Sequence, residues 1–304
     1  MVWTALLIAA AVRMTIPILL TALGATFSER SGVVNIGLEG MMIAGTFWGA
    51  FGALKGGPLF GFFLAMVAGM VLALVHAVVS IRFKVDQVVS GTAINILAAG
   101  LARFFSIMIF HMATTSPKVN AFAKISIPLL KDIPGLGPMF TDLSPVIIVA
   151  FILVPVSAYV LNRTVFGLRL RSVGENPLAA DTLGINVYLM RYAGVLISGA
   201  FAGLAGAFLA VEHTGSYIEG QTGGRGFIAL AAMIFGNWTP GGALAASLLF
   251  GLAQAVTLRV QIPGIPYQFI QMLPYLLTIA VLAGFVRKAV GPAADGIPYE
   301  REGE

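Results

Sequence analysis

The sequence predicts an all-α integral membrane protein, a polytopic helical bundle of about eight to ten spans with broken or re-entrant helices. Three observations predict it. Hydrophobic residues make up 58% of the 304 and charged residues 10%, against about a quarter charged in soluble domains, so the chain cannot cover a water-facing surface. Apolar segments of roughly 20 residues, the length of a transmembrane helix, fill most of it. Two polar, glycine-rich stretches interrupt them, and the 36 glycines suit helices that approach closely in lipid. Residues 1–304 read as one transmembrane domain.

Residues 1–12 read as a short interfacial helix with Trp3 as anchor, and no basic region precedes this apolar run, so no cleaved signal peptide is expected. A first span runs from about Met14 to Phe27. SERSGVVNIGLEGMMIAG (Ser28 to Gly45) follows, too polar for lipid contact at its start. Irregular backbone is tolerated there only if buried in protein or lining a cavity. Helices are expected at Glu39–Ala53, Pro58–Ile81 and Val88–Phe110. His111 to Asp142 reads as an extracytoplasmic loop carrying a small surface helix. A fifth span covers Ser144–Leu161 and a sixth Tyr192–Val211. EHTGSYIEGQTGGRG (Glu212 to Gly226) is the second glycine-rich stretch, and 216–238 reads as a broken span, unwound in its outer half. Helices at Gly241–Leu258 and Tyr267–Val286 precede a polar tail, 287–304. GTFWG (Gly45 to Gly49) and GAFAG (Gly199 to Gly203) mark expected helix contacts, and GPLFG (Gly57 to Gly61) begins in a turn.

Basic residues number 18 against 13 acidic ones, a balance that the positive-inside bias explains without nucleic acid. With the N-terminus outside and the C-terminus inside, the inner segments hold Arg30, Arg82, Lys84, Arg163, Arg169, Arg171, Arg191, Arg287, Lys288 and Arg301. The outer ones hold only Lys55, Lys118, Lys124, Lys131 and Arg259. The most basic island is RTVFGLRLRSVGENPLAADTLGINVYLMR (Arg163 to Arg191). Inside it Asn176 can cap a short helix, Pro177 suits its first position and Gly184 ends it.

No catalytic residues and no metal site are legible. Cysteine is absent, which removes disulfides, thiolate nucleophiles and sulfur-ligated metals. No Gly-Lys pair exists for a phosphate-binding GxxxxGK[ST] loop. His76, His111 and His213 are scattered. Polar groups within spans are expensive and carry the information. Asn35 and Glu39 flank a glycine kink; either they line a path or gate, or they cap backbone freed at the break. Ser90, Thr92 and Asn95 lie together, while Arg103 either neutralises an intramembrane carboxylate or snorkels outward. Gln254 and Gln271 can hydrogen-bond to one another or to a polar substrate. Phe47, Trp48, Phe104, Phe105 and Phe227 offer stacking faces or simple packing. SGVVNIGLEGMMIAG and GGRGFIALAAMIFGN echo one another, each a glycine-rich lead-in to a short apolar helix, as in transporters built from two related halves.

ENPLAADTLGIN after a basic stretch resembles the coupling loop of ABC importer permeases of the ribose and branched-chain amino acid superfamily. Ser28 to Gly45 and GRGFIALAAMIFGNWTPGGA (Gly224 to Ala243) are similar to the shorter permease subunit of nucleoside importers served by a basic-membrane-protein-type binding lipoprotein. The resemblance runs from about Arg13 to Arg287. It implies a transport subunit and no enzyme, embedded in the lipids of a prokaryotic plasma membrane. Glu175, Asn176, Pro177, Ala180, Asp181, Gly184, Ile185 and Asn186 would meet a separate ATPase that binds ATP and Mg. Asn35, Glu39, Asn95, Gln254 and Gln271 are candidates for the translocation path, shared with a second homologous permease. Glu212, Glu219, Gln221 and Arg225 would form the outer mouth, where an extracytoplasmic nucleoside-binding lipoprotein docks. A pentose or other small polar cargo, or ion-coupled transport without ATP, are the alternatives.

Overall fold

The computed structural model describes residues 2–126, 141, 143–259, 269, 270, 272, 276, 279 and 290–300. Among them six helices are long and apolar enough to cross a membrane. Helix α1 covers Val2–Arg30. The expected break between an interfacial piece and a first span is absent, because neither Arg13 nor Pro17 stops the helix. A proline in a buried helix removes only one donor, and neighbours tolerate it. Three of the four threonines of α1 are silenced within the helix: Thr15, Thr21 and Thr26 donate to the carbonyls of Ala11, Pro17 and Ala22.

Helix α2, Leu38–Ala77, contains a sharp break at Gly56 and Gly57. Gly57 has φ +83°, a conformation in which a side chain is strained. The two limbs fold back on each other. A Cβ on Gly52 would lie 2.8 Å from the Cα of Gly61, and one on Gly49 would lie 3.5 Å from Ala65 Cβ. In a straight helix residues 49 and 65 would be about 24 Å apart. So α2 crosses twice, as the two helices expected from sequence. Wider, π-type turns at Val78–Arg82 continue it.

Helix α3, Gln87–Phe105, starts at Asp86, whose carboxylate accepts from the amides of Val88 and Val89. Helix α4, Pro145–Arg163, starts at Ser144. The small surface helix expected around 125–130 lies mostly outside the described residues, and Ile125 itself pairs with Leu143 as an extended bridge. The basic island holds more helix than expected. Val165–Glu175 forms α5 behind the cap Thr164, and Pro177–Thr182 forms α6 behind Asn176. Helix α7 spans Val187–Ala207, not from Tyr192, since Asn186 caps it through Leu189 N. Arg191 therefore belongs to a helix and is 1% exposed. Short α8, Arg225–Phe235, and α9, Pro240–Arg259, follow. The helix expected at Tyr267–Val286 lies almost wholly outside the described residues.

Helix α7 lies between the limbs of α2. Gly45 faces Gly203 and Gly49 faces Ala207 on the outgoing limb; Ala65 and Gly69 face Gly203 and Gly199 on the returning one. Two of the small-residue motifs thus pack directly on each other. Backbones this close gain dispersion contacts, and lipid supplies no competing hydrophobic drive. A Cβ at Gly203 would run into the backbone at Ala65. Gly203→Val should therefore cost more than the ~1–3 kcal/mol of ordinary overpacking, read as a lower thermal aggregation midpoint in detergent; an unchanged midpoint would mean that the limbs separate freely.

Candidate functional site

The first break, residues 31–37, has its backbone polar groups met by side chains from three elements, α1, α2 and α3. Ser28 Oγ donates to Val33 O (2.7 Å). Val34 N donates to Gln87 Oε1 (2.7 Å), and Val34 O meets His76 Nε2 (3.1 Å), whose other ring nitrogen lies 2.9 Å from Ser90 Oγ. Asn95 serves both sides of the break: its Nδ2 donates to Ile36 O (3.1 Å), and its Oδ1 accepts from Gly40 N (2.7 Å). Asn35 Nδ2 donates to Ser198 Oγ (2.7 Å) on α7. Buried backbone groups without partners would each cost several kcal/mol in a membrane interior, on the order of a lost hydrogen bond or more. This stitching is what lets an unwound stretch exist there.

Glu39 joins this break to the second. It stands in the first turn of α2, is 6% exposed, and accepts from Gly224 N (3.0 Å) and Gly226 N (2.6 Å) at the start of α8. One carboxylate thus faces the positive ends of two helices, where negative charge is favoured. Gly226 must be glycine, since its Cβ would sit 2.6 Å from Glu39 Cα. The two glycine-rich lead-ins that echo each other in sequence therefore meet in space.

The second break, residues 214–224, leads into α8, and a turn at residues 236–239 follows that helix. At the end away from the basic island, Glu219 N donates to Thr114 O, and Tyr217 exchanges hydrogen bonds with Ser116. Glu212 Oε1 accepts from Phe122 N (2.9 Å), and Glu219 pairs with Arg103 at 3.5 Å. Gln221 Oε1 accepts from Thr214 Oγ1 (3.1 Å). Arg225 turns inward, donating to the carbonyls of Gln221 and Thr222 and to Gln254 Oε1 (3.2 Å). Gln271 lies outside the described residues. At the basic end, Trp238 Nε1 donates to Glu29 Oε2 (2.6 Å), and Arg30 Nε donates to Trp238 O (3.0 Å). Of the aromatic candidates, Phe47, Trp48 and Phe105 pack on one another with centroids 5.4–6.1 Å apart.

On the basic island the cap and stop signals are where the sequence puts them. Asn176 Oδ1 accepts from Ala179 N (3.0 Å), and Gly184 has φ +79°. Glu175 pairs with Arg30 at 3.7 Å. Ala180 is the buried residue of α6, packed with Val173, Val187 and Tyr299. Asn186 and Glu175 are exposed, and Asp181 and Ile185 are partly so. Sequence reasoning missed Leu178 and Leu183, which are 47% and 80% exposed. Their signal was present: two leucines in a polar loop have no lipid or core to enter. It also missed the tail segment 290–300, taken up below.

The all-α bundle with paired helix breaks and a helical platform at its basic end defines a multi-pass membrane transport subunit. The chain belongs to the branched-chain amino acid transport system/permease component family, whose model matches residues 7–282. It is 48% identical over 295 residues to the guanosine ABC transporter permease protein NupQ of Bacillus subtilis, covering 93% of this chain and 92% of that one. It is 43% identical to the nucleoside ABC transporter permease protein NupC of Lactococcus lactis, covering 93% of each. A putative glucose ABC transporter permease protein of Haloferax volcanii is 36% identical over 97% of this chain and 98% of its own.

Glu39→Ala would strand the Gly224 and Gly226 amides, at roughly 1–3 kcal/mol for each buried donor left unpaired. Its folded yield after detergent extraction should fall well below that of Glu39→Gln, which keeps one acceptor oxygen. Equal yields would remove Glu39 from its role as the joint between the breaks.

Proposed function

We propose that this chain is the transmembrane permease subunit of an ABC importer for nucleosides. The observation that carries the reading is the pair of relatives above 40% identity over more than nine tenths of both chains, named for guanosine and for nucleosides. A second homologous permease supplies the other wall of the path. A separate ATPase, holding ATP and Mg, docks beneath, and an extracytoplasmic binding lipoprotein delivers the cargo at the opposite end, near Glu212, Glu219, Gln221 and Arg225. The basic end faces the cytoplasm of a prokaryote, because basic segments resist translocation, and the start of α1 lies outside. The path runs beside the two breaks, where Asn35, Glu39, Asn95 and Gln254 gather.

Helix α6 is the lever on which the ATPase acts. Leu178 and Leu183 project from it, exposed, on a polar face, and exposed apolar residues in such a setting mark contact surfaces. ATP-driven closure pushes α6, and the attached spans turn the path from outward- to inward-facing. The Haloferax relative supports a second reading, a sugar path.

Uptake of radiolabelled guanosine and glucose by the reconstituted complex separates the readings. Guanosine accumulation that needs both ATP and the binding protein is expected. Glucose accumulation alone would move the reading to sugars, and ion-driven uptake by this chain by itself would end the ABC assignment. Within the complex, Gly184→Pro breaks the +79° stop and Glu175→Arg breaks the pair with Arg30. Each should cut uptake roughly tenfold or more, the scale of a 1–3 kcal/mol coupling energy, while the subunit stays in the membrane at normal levels. Normal uptake by both would sink the lever.

A further inference from the structure

Residues 290–300 lie beyond the region that matches the family, which ends at 282, and they read in the sequence as a solvated tail. The structure threads them between the platform, the first break and the turn that follows α8. Ala294 N donates to Gly174 O (2.8 Å), and Ala293 N donates to Glu175 Oε2 (3.3 Å), directly before α6. The Tyr299 ring meets Tyr188 edge-on, centroids 5.4 Å apart, in the cluster that also holds Ala180, the buried residue of α6. Arg191 Nη1 donates to Ile297 O (2.9 Å), and Lys84 pairs with Glu300 (2.9 Å).

The same segment reaches the first break and the turn that follows α8. A Cβ on Gly32 would lie 3.1 Å from Ala294 O, and one on Gly296 would lie 3.4 Å from Val34. Val290 N donates to Asn237 Oδ1 (3.3 Å), and Gly291 lies against the Trp238 ring. Asp295 lies beside Glu29 and faces Arg191. Glu29 in turn accepts from Trp238. Burial pushes the Asp295 carboxyl up to about 7.

We propose that residues 290–300 are a strap that carries movement of α6 to the first helix break and to the turn at the end of α8. The proposal rests on α6 being the ATPase lever.

The test uses the assembled transporter in lipid vesicles, this chain with its partner permease, ATPase and binding protein. Guanosine uptake and ATP hydrolysis are read together. One variant ends the chain after residue 289. A second, Tyr299→Ala, keeps every backbone hydrogen bond of the strap, and Gly184→Pro runs in parallel. Both strap variants should assemble in normal amounts and hydrolyse ATP, while ATP consumed per guanosine rises roughly tenfold for the truncation and several-fold for Tyr299→Ala. Should the truncated chain not be recovered, Tyr299→Ala decides. An unchanged ratio in Tyr299→Ala beside an uncoupled Gly184→Pro overturns the strap and leaves the lever standing. An unchanged ratio in Gly184→Pro overturns the lever, and the strap with it. Uptake that falls only in step with the amount of assembled complex reduces the segment to a plug and overturns the proposal.

Discussion

The structure depends on one carboxylate serving two helix starts. Glu39 belongs to the first turn of α2, yet its oxygens hold the first amides of α8, about 185 residues later in the chain. Opening either break alone would leave buried donors without partners. The two breaks therefore form one unit, because hydrogen bonds lost in an apolar surrounding are far costlier than those exchanged with water. Asn95 adds a second lock by bridging the Ile36 carbonyl of the first break and the N-terminal turn of α2.

Much of this is legible in the sequence, for identifiable reasons. Apolar runs bounded by basic residues gave the spans, because burial in lipid demands length and composition whatever the packing. The small-residue motifs at Gly45 and Gly199 each announced a helix contact, since few other residues permit such an approach, but not that the two would meet each other. Asn176, Pro177 and Gly184 marked α6 because capping chemistry is local. The kink at Gly56 and Gly57 separated the two limbs of α2 in the same way.

What the sequence hid was set by distance or by backbone. The partners of Glu39 are main-chain amides, which carry no residue signature, so the choice between a path lining and a cap stayed open. Helix α5 was invisible as a helix because Arg169 and Arg171 interrupt a short buried face of Gly167, Leu170, Val173 and Gly174. Arg13 and Pro17 looked like a boundary in α1, but inside a packed bundle neither ends a helix. Segment 290–300 looked solvated because its anchors are mostly carbonyls and amides of other segments; Tyr299 was its one strong side-chain hint.

The seam between α2 and α7 restricts how such a molecule can move. Where glycines bring main chains together on both sides of one rod, sliding by a single residue would drive a neighbouring side chain into backbone. That trio can rotate as a solid piece but cannot shear. Any rearrangement that opens and closes a passage must be borne by its hinges with α1, α3 and α8, so the stiffest part of the protein acts as the fulcrum.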